Sequence, residues 1–177
     1  MQKITLLLII VLLVSGCTLP NASKTSKNIS PMKLESPIFT HNQYLPTKYT
    51  CDGTGVNPPL KISNIPNTTK NIVLIVDDPD APNGDFVHWL VWNIDPQTTQ
   101  IEEESTPIGA IQGTGSSGTP KFVPPCPPTG VHRYFFKLYA LDTKLNLPVT
   151  TNKTQLLNAM QEHILDQTEI IGLYSRQ

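Results

Sequence analysis

A mostly β domain is what this chain of 177 residues predicts, and three observations carry that reading. Residues 71–76 form a continuous run rich in Ile and Val that stops at Asp77-Asp78-Pro79, the pattern of a buried strand ending in a turn. Residues 86–94 and 131–141 are rich in aromatics and alternate in polarity as strands do. Seventeen prolines and ten glycines fall mostly between these runs, where turns and long loops need them.

Shorter strands are expected at residues 33–36, 60–63, 108–112 and 168–174. Within residues 86–94, strict alternation would put Phe86, His88, Leu90 and Trp92 on one face and Val87, Trp89, Val91 and Asn93 on the other. One helix is expected over residues 152–164, with Leu156, Leu157, Met160, His163 and Ile164 on one stripe. Asn152 is its candidate cap, with Gln155 three residues on. Residues 113–128 show no apolar periodicity: glycine and serine come first, then five prolines from Pro120 to Pro128. A long, stiff loop of this kind is a place to look for function.

Residues 1–16 read as an export signal, with Lys3 followed by an apolar run over 4–14 that is broken only by Thr5. That run is too short to span a bilayer, which takes a helix of about 20 residues. It ends in Val14-Ser15-Gly16-Cys17, which resembles the lipobox of bacterial lipoproteins. The resemblance implies that Cys17 becomes the lipidated first residue of a membrane-anchored envelope protein. Thr18 gives no reason for retention at the inner membrane, so an outer-membrane anchor facing the periplasm is favoured. An ordinary signal peptide with a fortuitous cysteine is the alternative. Residues 17–33, rich in Ser, Thr, Asn and Lys, read as a flexible tether, and residues 34–177 as a single domain.

The full sequence holds 13 basic and 14 acidic residues, so neither a nucleic-acid footprint nor a polybasic membrane patch is present. With Cys17 assigned to lipid, Cys51 and Cys126 remain as an even pair outside the cytosol. A disulfide between them is the expectation, with two separate buried thiols or a reactive thiol as alternatives.

Chemistry concentrates in two segments, Asp78-Pro79-Asp80-Ala81-Pro82 followed by His88-Trp89, and Gly130-Val131-His132-Arg133-Tyr134. The prolines restrict the first backbone, and the Ala81-Pro82 bond is a candidate for the cis form. Asp78 and Asp80, two residues apart, can converge on one cavity, with His88 pointing back toward them from the face opposite Trp89. A lone Asp-Pro turn is ordinarily a solvated corner, but the His-Trp pair on a buried strand weighs against that here. His132 and Tyr134 share one strand face as candidate ligand donors. Arg133 takes the other face, where pairing with a carboxylate is the stronger reading than ligand contact.

On these residues the chain resembles the phosphatidylethanolamine-binding protein family, specifically its bacterial branch of Raf-kinase-inhibitor-like lipoproteins. Tyr49-Thr50-Cys51-Asp52-Gly53, Asn57-Pro58-Pro59-Leu60 and Pro125-Cys126-Pro127-Pro128 match that branch as well, and the similarity runs from about Leu34 to Tyr174. The resemblance implies an antiparallel β-sandwich with one or two short helices. It implies a pocket for phosphate, a phosphorylated head group or a similar small anion, lined by Asp78, Asp80, His88, Pro127, Pro128, His132 and Tyr134, with Ala81 and Pro82 at its edge. No catalytic residue, metal or cofactor is implied.

Aspartates beside the histidines are expected to raise the imidazole pKa values, so that protonated rings donate to the anion and affinity weakens as pH rises. The loop departs from the family pattern: Phe122 stands in place of a tyrosine and Pro124 in place of a glycine. An altered pocket rim follows. Two other readings stand beside this one. The first is a protease-inhibitor or docking lipoprotein that meets an unidentified protein partner through the proline loop. The second is a metal-assisted hydrolase using Asp78, Asp80, His88 and His132. Against the hydrolase, the sequence has no helix-borne histidine pair and no nucleophile elbow.

Overall fold

Strand β4 (Asn71–Asp78) is buried along its whole length because both of its faces are covered. Ile72, Leu74 and Val76 enter one apolar cluster, and Val73 and Ile75 enter another. That double burial is why the sequence reads there as an unbroken apolar run. The computed structural model describes residues 30–176; the expected leader, Cys17 and the tether up to residue 29 lie outside them.

The other elements are β1 (Lys33–Glu35), β2 (Gln43–Tyr44), β3 (Leu60–Ser63), β5 (Phe86–Ile94), β6 (Gln100–Ile101), β7 (Ile111–Gln112), β8 (His132–Leu141), α1 (Lys153–Met160) and β9 (Ile164–Tyr174). They form a three-stranded sheet ordered β1-β3-β6 and a six-stranded sheet ordered β2-β9-β8-β4-β5-β7. Among these pairings only β2 with β9 is parallel. The larger core lies between the sheets, with Leu34, Leu60, Ile62 and Ile101 of the small sheet facing Leu74, Val91, Phe136 and Leu138 of the large one. The second core lies on the outer face of the large sheet, where Leu156 and Met160 of α1 cover Val73, Ile75, Leu90 and Trp92. Among the described residues the fold is mostly β with a single α-helix, as expected.

Three local readings need correction. First, β5 does not alternate strictly. Its register against β4 slips at two places, between the Val76–Trp89 and Asp77–Val87 pairs and between the Ile72–Ile94 and Leu74–Val91 pairs. Each slip is a bulge, which adds one residue to β5 and reverses the side on which the following residues point. Val87 therefore joins the helix-side core with Leu90 and Trp92, and not Trp89, which packs between the sheets. At the second bulge Asn93 adopts φ 57°, and its side chain bonds the Leu145 backbone in both directions.

Second, the helix ends at Met160, and Ile164 already pairs with Leu141 as the start of β9. The apolar stripe continued past the helix because a turn brings the next residues back to the same sheet. The N-terminus is as expected: Asn152 and Gln155 form a reciprocal capping box. Third, β2 and β6 have two residues each, too short to leave a periodic signal.

Residues 113–128 run alongside β5. The Gly113 and Ser116 amides donate to the Leu90 and Val87 carbonyls, and the Val123 amide donates to the His88 carbonyl, at 2.9–3.0 Å. Glycine allows this approach, since a Cβ at Gly113 would lie 2.5 Å from the Trp92 ring and one at Gly115 2.7 Å from the Val87 carbonyl. Cys51 and Cys126 are joined by a disulfide, and the Cys51 amide donates to the Pro125 carbonyl beside it.

Candidate functional site

Alternation along β4 sends its last two carboxylates to opposite faces. Asp77 points toward α1 and is fully buried, where Lys137 Nζ lies 2.9 and 3.0 Å from its oxygens and Lys153 Nζ 2.5 Å from one of them. Lys153 also bridges to Asp85. Asp78 points the other way, and both of its oxygens accept hydrogen bonds. His132 Nδ1 donates to Oδ2 at 2.7 Å, and the Asp80 amide donates to Oδ1 at 2.9 Å. The second bond closes an Asx turn, which is how the aspartate before Pro79 ends the strand.

Beside the Asp78–His132 pair lies a cavity of about 160 Å³. Ala81 and Pro82 of the turn, Phe86 and His88 of β5, His132 and Tyr134 of β8, and Val123, Pro124, Cys126, Pro127 and Pro128 of the proline loop bound it, together with Asp78. The volume is close to the roughly 150 Å³ of a cavity that admits benzene, and below the ~300 Å³ at which sites for drug-sized molecules begin. It suits a group of about six heavy atoms.

His88 reaches this cavity because of the first β5 bulge. The residue left unpaired by that bulge is His88, and it turns its ring toward Tyr134 on the inter-sheet side instead of lying opposite Trp89. Its Nδ1 sits 2.8 Å from the Val123 carbonyl oxygen, which can only accept, so Nδ1 carries a proton. Burial pushes the His88 pKa below its ordinary value, outweighing the Val123 carbonyl and the nearby carboxylates Asp78, Asp77 and Asp85. The expected rise therefore fails for this ring: it is neutral, and its Nε2 presents a lone pair. Burial likewise pushes the Tyr134 phenol far up, so it keeps its proton. Both His88 Nε2 and Tyr134 OH are buried and have no hydrogen-bond partner among the described residues.

Asp80 does not line the cavity. Arg133 holds its carboxylate from the rim, with Nε to Oδ2 at 2.9 Å and Nη2 to Oδ1 at 2.7 Å, while the Arg133 amide also donates to Oδ2. The guanidinium holds this carboxyl down to a pKa of about 2. The expected convergence of Asp78 and Asp80 thus fails because the Asx turn swings Asp80 outward, whereas the reading of Arg133 as a carboxylate partner agrees with the geometry. Every described peptide bond is trans, Ala81-Pro82 included. The other expected residues, Asp78, Ala81, Pro82, His88, Pro127, Pro128, His132 and Tyr134, come together around the cavity.

Phe86, Val123, Pro124 and Cys126 line the cavity without having been singled out as ligand contacts. Phe86 had a legible signal, two residues before His88 on the same strand, and the two rings lie 4.8 Å apart. Phe122 packs edge-on against Trp89 and does not line the cavity, whereas Pro124 does. Among the described residues, no group of three His, Cys, Asp or Glu side chains is placed to hold a metal ion.

Two sheets packed over the larger core, with an Asp–His pair at the end of a central strand, define a β-sandwich class with its cavity at a strand terminus. Within that class, the family model described as phosphatidylethanolamine-binding protein matches residues 35–175, and the chain belongs to that family. A UPF0098 protein from Methanothermobacter thermautotrophicus is 45% identical over 150 residues, 82% of this chain and 99% of that protein. Another from Pyrococcus horikoshii is 43% identical over 176 residues, 95% of this chain and 86% of that protein. Among solved structures, a phosphatidylethanolamine-binding protein homologue from Chlamydia trachomatis superposes with TM-score 0.80 at 39% identity, covering 83% of this chain and 99% of that one. YbcL of E. coli, described as a member of the mammalian family, gives 0.78 at 27% identity over 84% of this chain and all of that one.

Proposed function

We propose that this chain is a non-enzymatic binding protein that takes phosphate, or the phosphorylated or similarly anionic end of a small molecule, into the cavity beside Asp78 and His132. What supports the reading most is the cavity itself, which lies beside the Asp78–His132 pair and is lined by His88 and His132 among apolar walls. The aspartates do not oppose an anion as bare charges would. Asp78 is engaged on both oxygens, and Asp80 is neutralised by Arg133 outside the cavity. The proline-rich wall is apolar, and a ligand that fills the cavity would displace water and so strengthen the few polar contacts inside.

The proposal includes a lipid anchor at Cys17 that holds the domain in the cell envelope, at the outer membrane facing the periplasm. The Cys51–Cys126 bridge is in keeping with an oxidising compartment. Labelling with a radioactive fatty acid in the producing cell, present in the native protein and lost in Cys17→Ser, checks the anchor. Calorimetric titration of the full chain with inorganic phosphate and with phosphoethanolamine checks the site. Saturable binding that is lost in His132→Ala is expected, and absence of heat with both ligands would remove the reading.

A further inference from the structure

A second cavity, of about 240 Å³, lies apart from the Asp78–His132 pair, and the anion-binding reading makes no use of it. Neighbouring residues of β5 and of the proline loop divide between the two cavities: His88 and Val123 line the first, Trp89 and Phe122 the second. Phe122 and Val56, both half-buried, give the second cavity an apolar floor, and the buried Trp89 packs edge-on against Phe122. The volume exceeds the roughly 150 Å³ that admits benzene, so an apolar side chain and a small polar head group fit together.

The polar groups around that floor are of two kinds. Gln112 of β7 gives its amide oxygen to Trp89 Nε1, which can only donate, at 2.6 Å, so the free end of the Gln112 amide offers N–H groups alone. Lys121 is the second donor. The acceptors come from the segment between β6 and β7: the Glu104 carboxylate and, next to it in the chain, the Ser105 and Thr106 hydroxyls. Glu104 and Lys121 are both exposed, and neither enters an ion pair among the described residues.

Asn57 fixes the acceptor segment. Its buried side chain donates to the Glu102 carbonyl at 2.9 Å and accepts from the Ser105 amide at 3.0 Å, while its backbone carbonyl accepts from the Glu104 amide. Glu104 is thereby held at φ 53°, a left-handed conformation that is costly for a residue with a side chain. The Asn57-Pro58-Pro59 segment, which lies outside the first cavity, thus holds a charged side chain at the rim of the second.

We infer that this second cavity binds a free α-amino acid with an apolar side chain. The ligand's carboxylate accepts from Lys121 and Gln112, its ammonium group donates to Glu104 and the neighbouring hydroxyls, and its side chain lies on Phe122 and Val56. The end of a peptide carries one of these two charges and not both, and an inorganic anion has no cationic group to meet Glu104. The inference is independent of what the first cavity takes.

Titration of the full chain with L-phenylalanine, followed by ¹H–¹⁵N correlation spectra, tests it. The chain has two tryptophans, so two indole N–H signals are read. That of Trp89 is expected to shift and saturate, and that of Trp92, in the core beneath α1, to stay. Both charged groups are exposed, so each contact contributes modestly and affinity in the millimolar range is expected. Phenethylamine, which lacks the carboxylate, and 3-phenylpropionate, which lacks the ammonium group, should each bind about fivefold more weakly than phenylalanine. Lys121→Met and Glu104→Gln should weaken phenylalanine binding by a similar factor, and since both positions are exposed the variants should fold. Equal binding of phenylalanine and either analogue would overturn the recognition of both charges. A saturating shift that spares Trp89, or no shift at all, would overturn the site.

Discussion

Asp77 and Asp78 are neighbours on one strand, both are buried, and the protein treats them in opposite ways. Asp77 is closed off by two lysine ammonium groups, one from β8 and one from α1, and it ties the helix to the sheet. Asp78 is met by an imidazole and a backbone amide, and the space beside it is left open with two unpartnered polar atoms nearby. Burial and a hydrogen-bonded basic side chain are common to both, so neither marks a site. What separates them is whether the hydrogen bonding closes on itself or ends at a cavity.

Replacing both Lys137 and Lys153 by Met should give the largest effect, because it strands Asp77 with no cation in the interior. A loss of about 3–5 kcal/mol is expected in chemical denaturation, with phosphate binding unchanged wherever the protein remains folded. If binding fell as well, the two faces of β4 would not be independent.

Reduction of the Cys51–Cys126 bridge should be next. Its 75-residue separation predicts a loss of up to about 4 kcal/mol in the chain-entropy model. Cys126 also lines the cavity, so the Cys51→Ser/Cys126→Ser variant should bind phosphate more weakly than the oxidised protein under conditions where both are folded. Unchanged affinity would show that the proline wall is held by its backbone bonds to β5 alone.

His132→Ala reverses the first experiment. It leaves Asp78 Oδ2 without its donor, which should cost about 1–3 kcal/mol of stability while removing phosphate binding. A variant that kept its affinity would take the Asp78 side out of the site.

The smallest effects are the pH dependences. His88 is held below its ordinary pKa in the folded state, so the unfolded chain takes up more protons and stability should fall as pH drops below about 6.5. His88→Gln should flatten that segment of the stability curve. Asp80, held down to about 2 by Arg133, contributes stability that is present above the ordinary carboxylate range and is lost as pH falls toward 2. Arg133 is half exposed, so Arg133→Ala should remove that limb at a cost below about 1 kcal/mol.

Most of the fold was legible because the long strands are long and strongly patterned. Residues 86–94 and 60–63 are strands over the expected bounds, and the Asn152 cap closes its box with Gln155. The short elements were not legible, since two residues such as Gln43 and Tyr44 carry no period and are strands only because β9 lies beside them. In the site, Asp78, His132 and Tyr134 followed from their places at strand ends and on one face. Asp80 misled, because residues two apart share a face only while the strand continues, and the Asx turn ends it at Asp78. Phe86 and Cys126 were visible as residues but not as cavity walls.

By itself the amino-acid sequence determined which segments become strands, where the strand-ending aspartate sits, and which residue types are within reach of it, because those follow from periodicity, proline and turn chemistry acting over a few residues. Only the tertiary structure decided the protonation and the direction of those groups. The β5 bulge that turns His88 inward, the Val123 carbonyl that fixes its proton on Nδ1, and the burial that keeps the ring neutral come from segments dozens of residues apart, and no local rule counts the bonds they make or leave unmade.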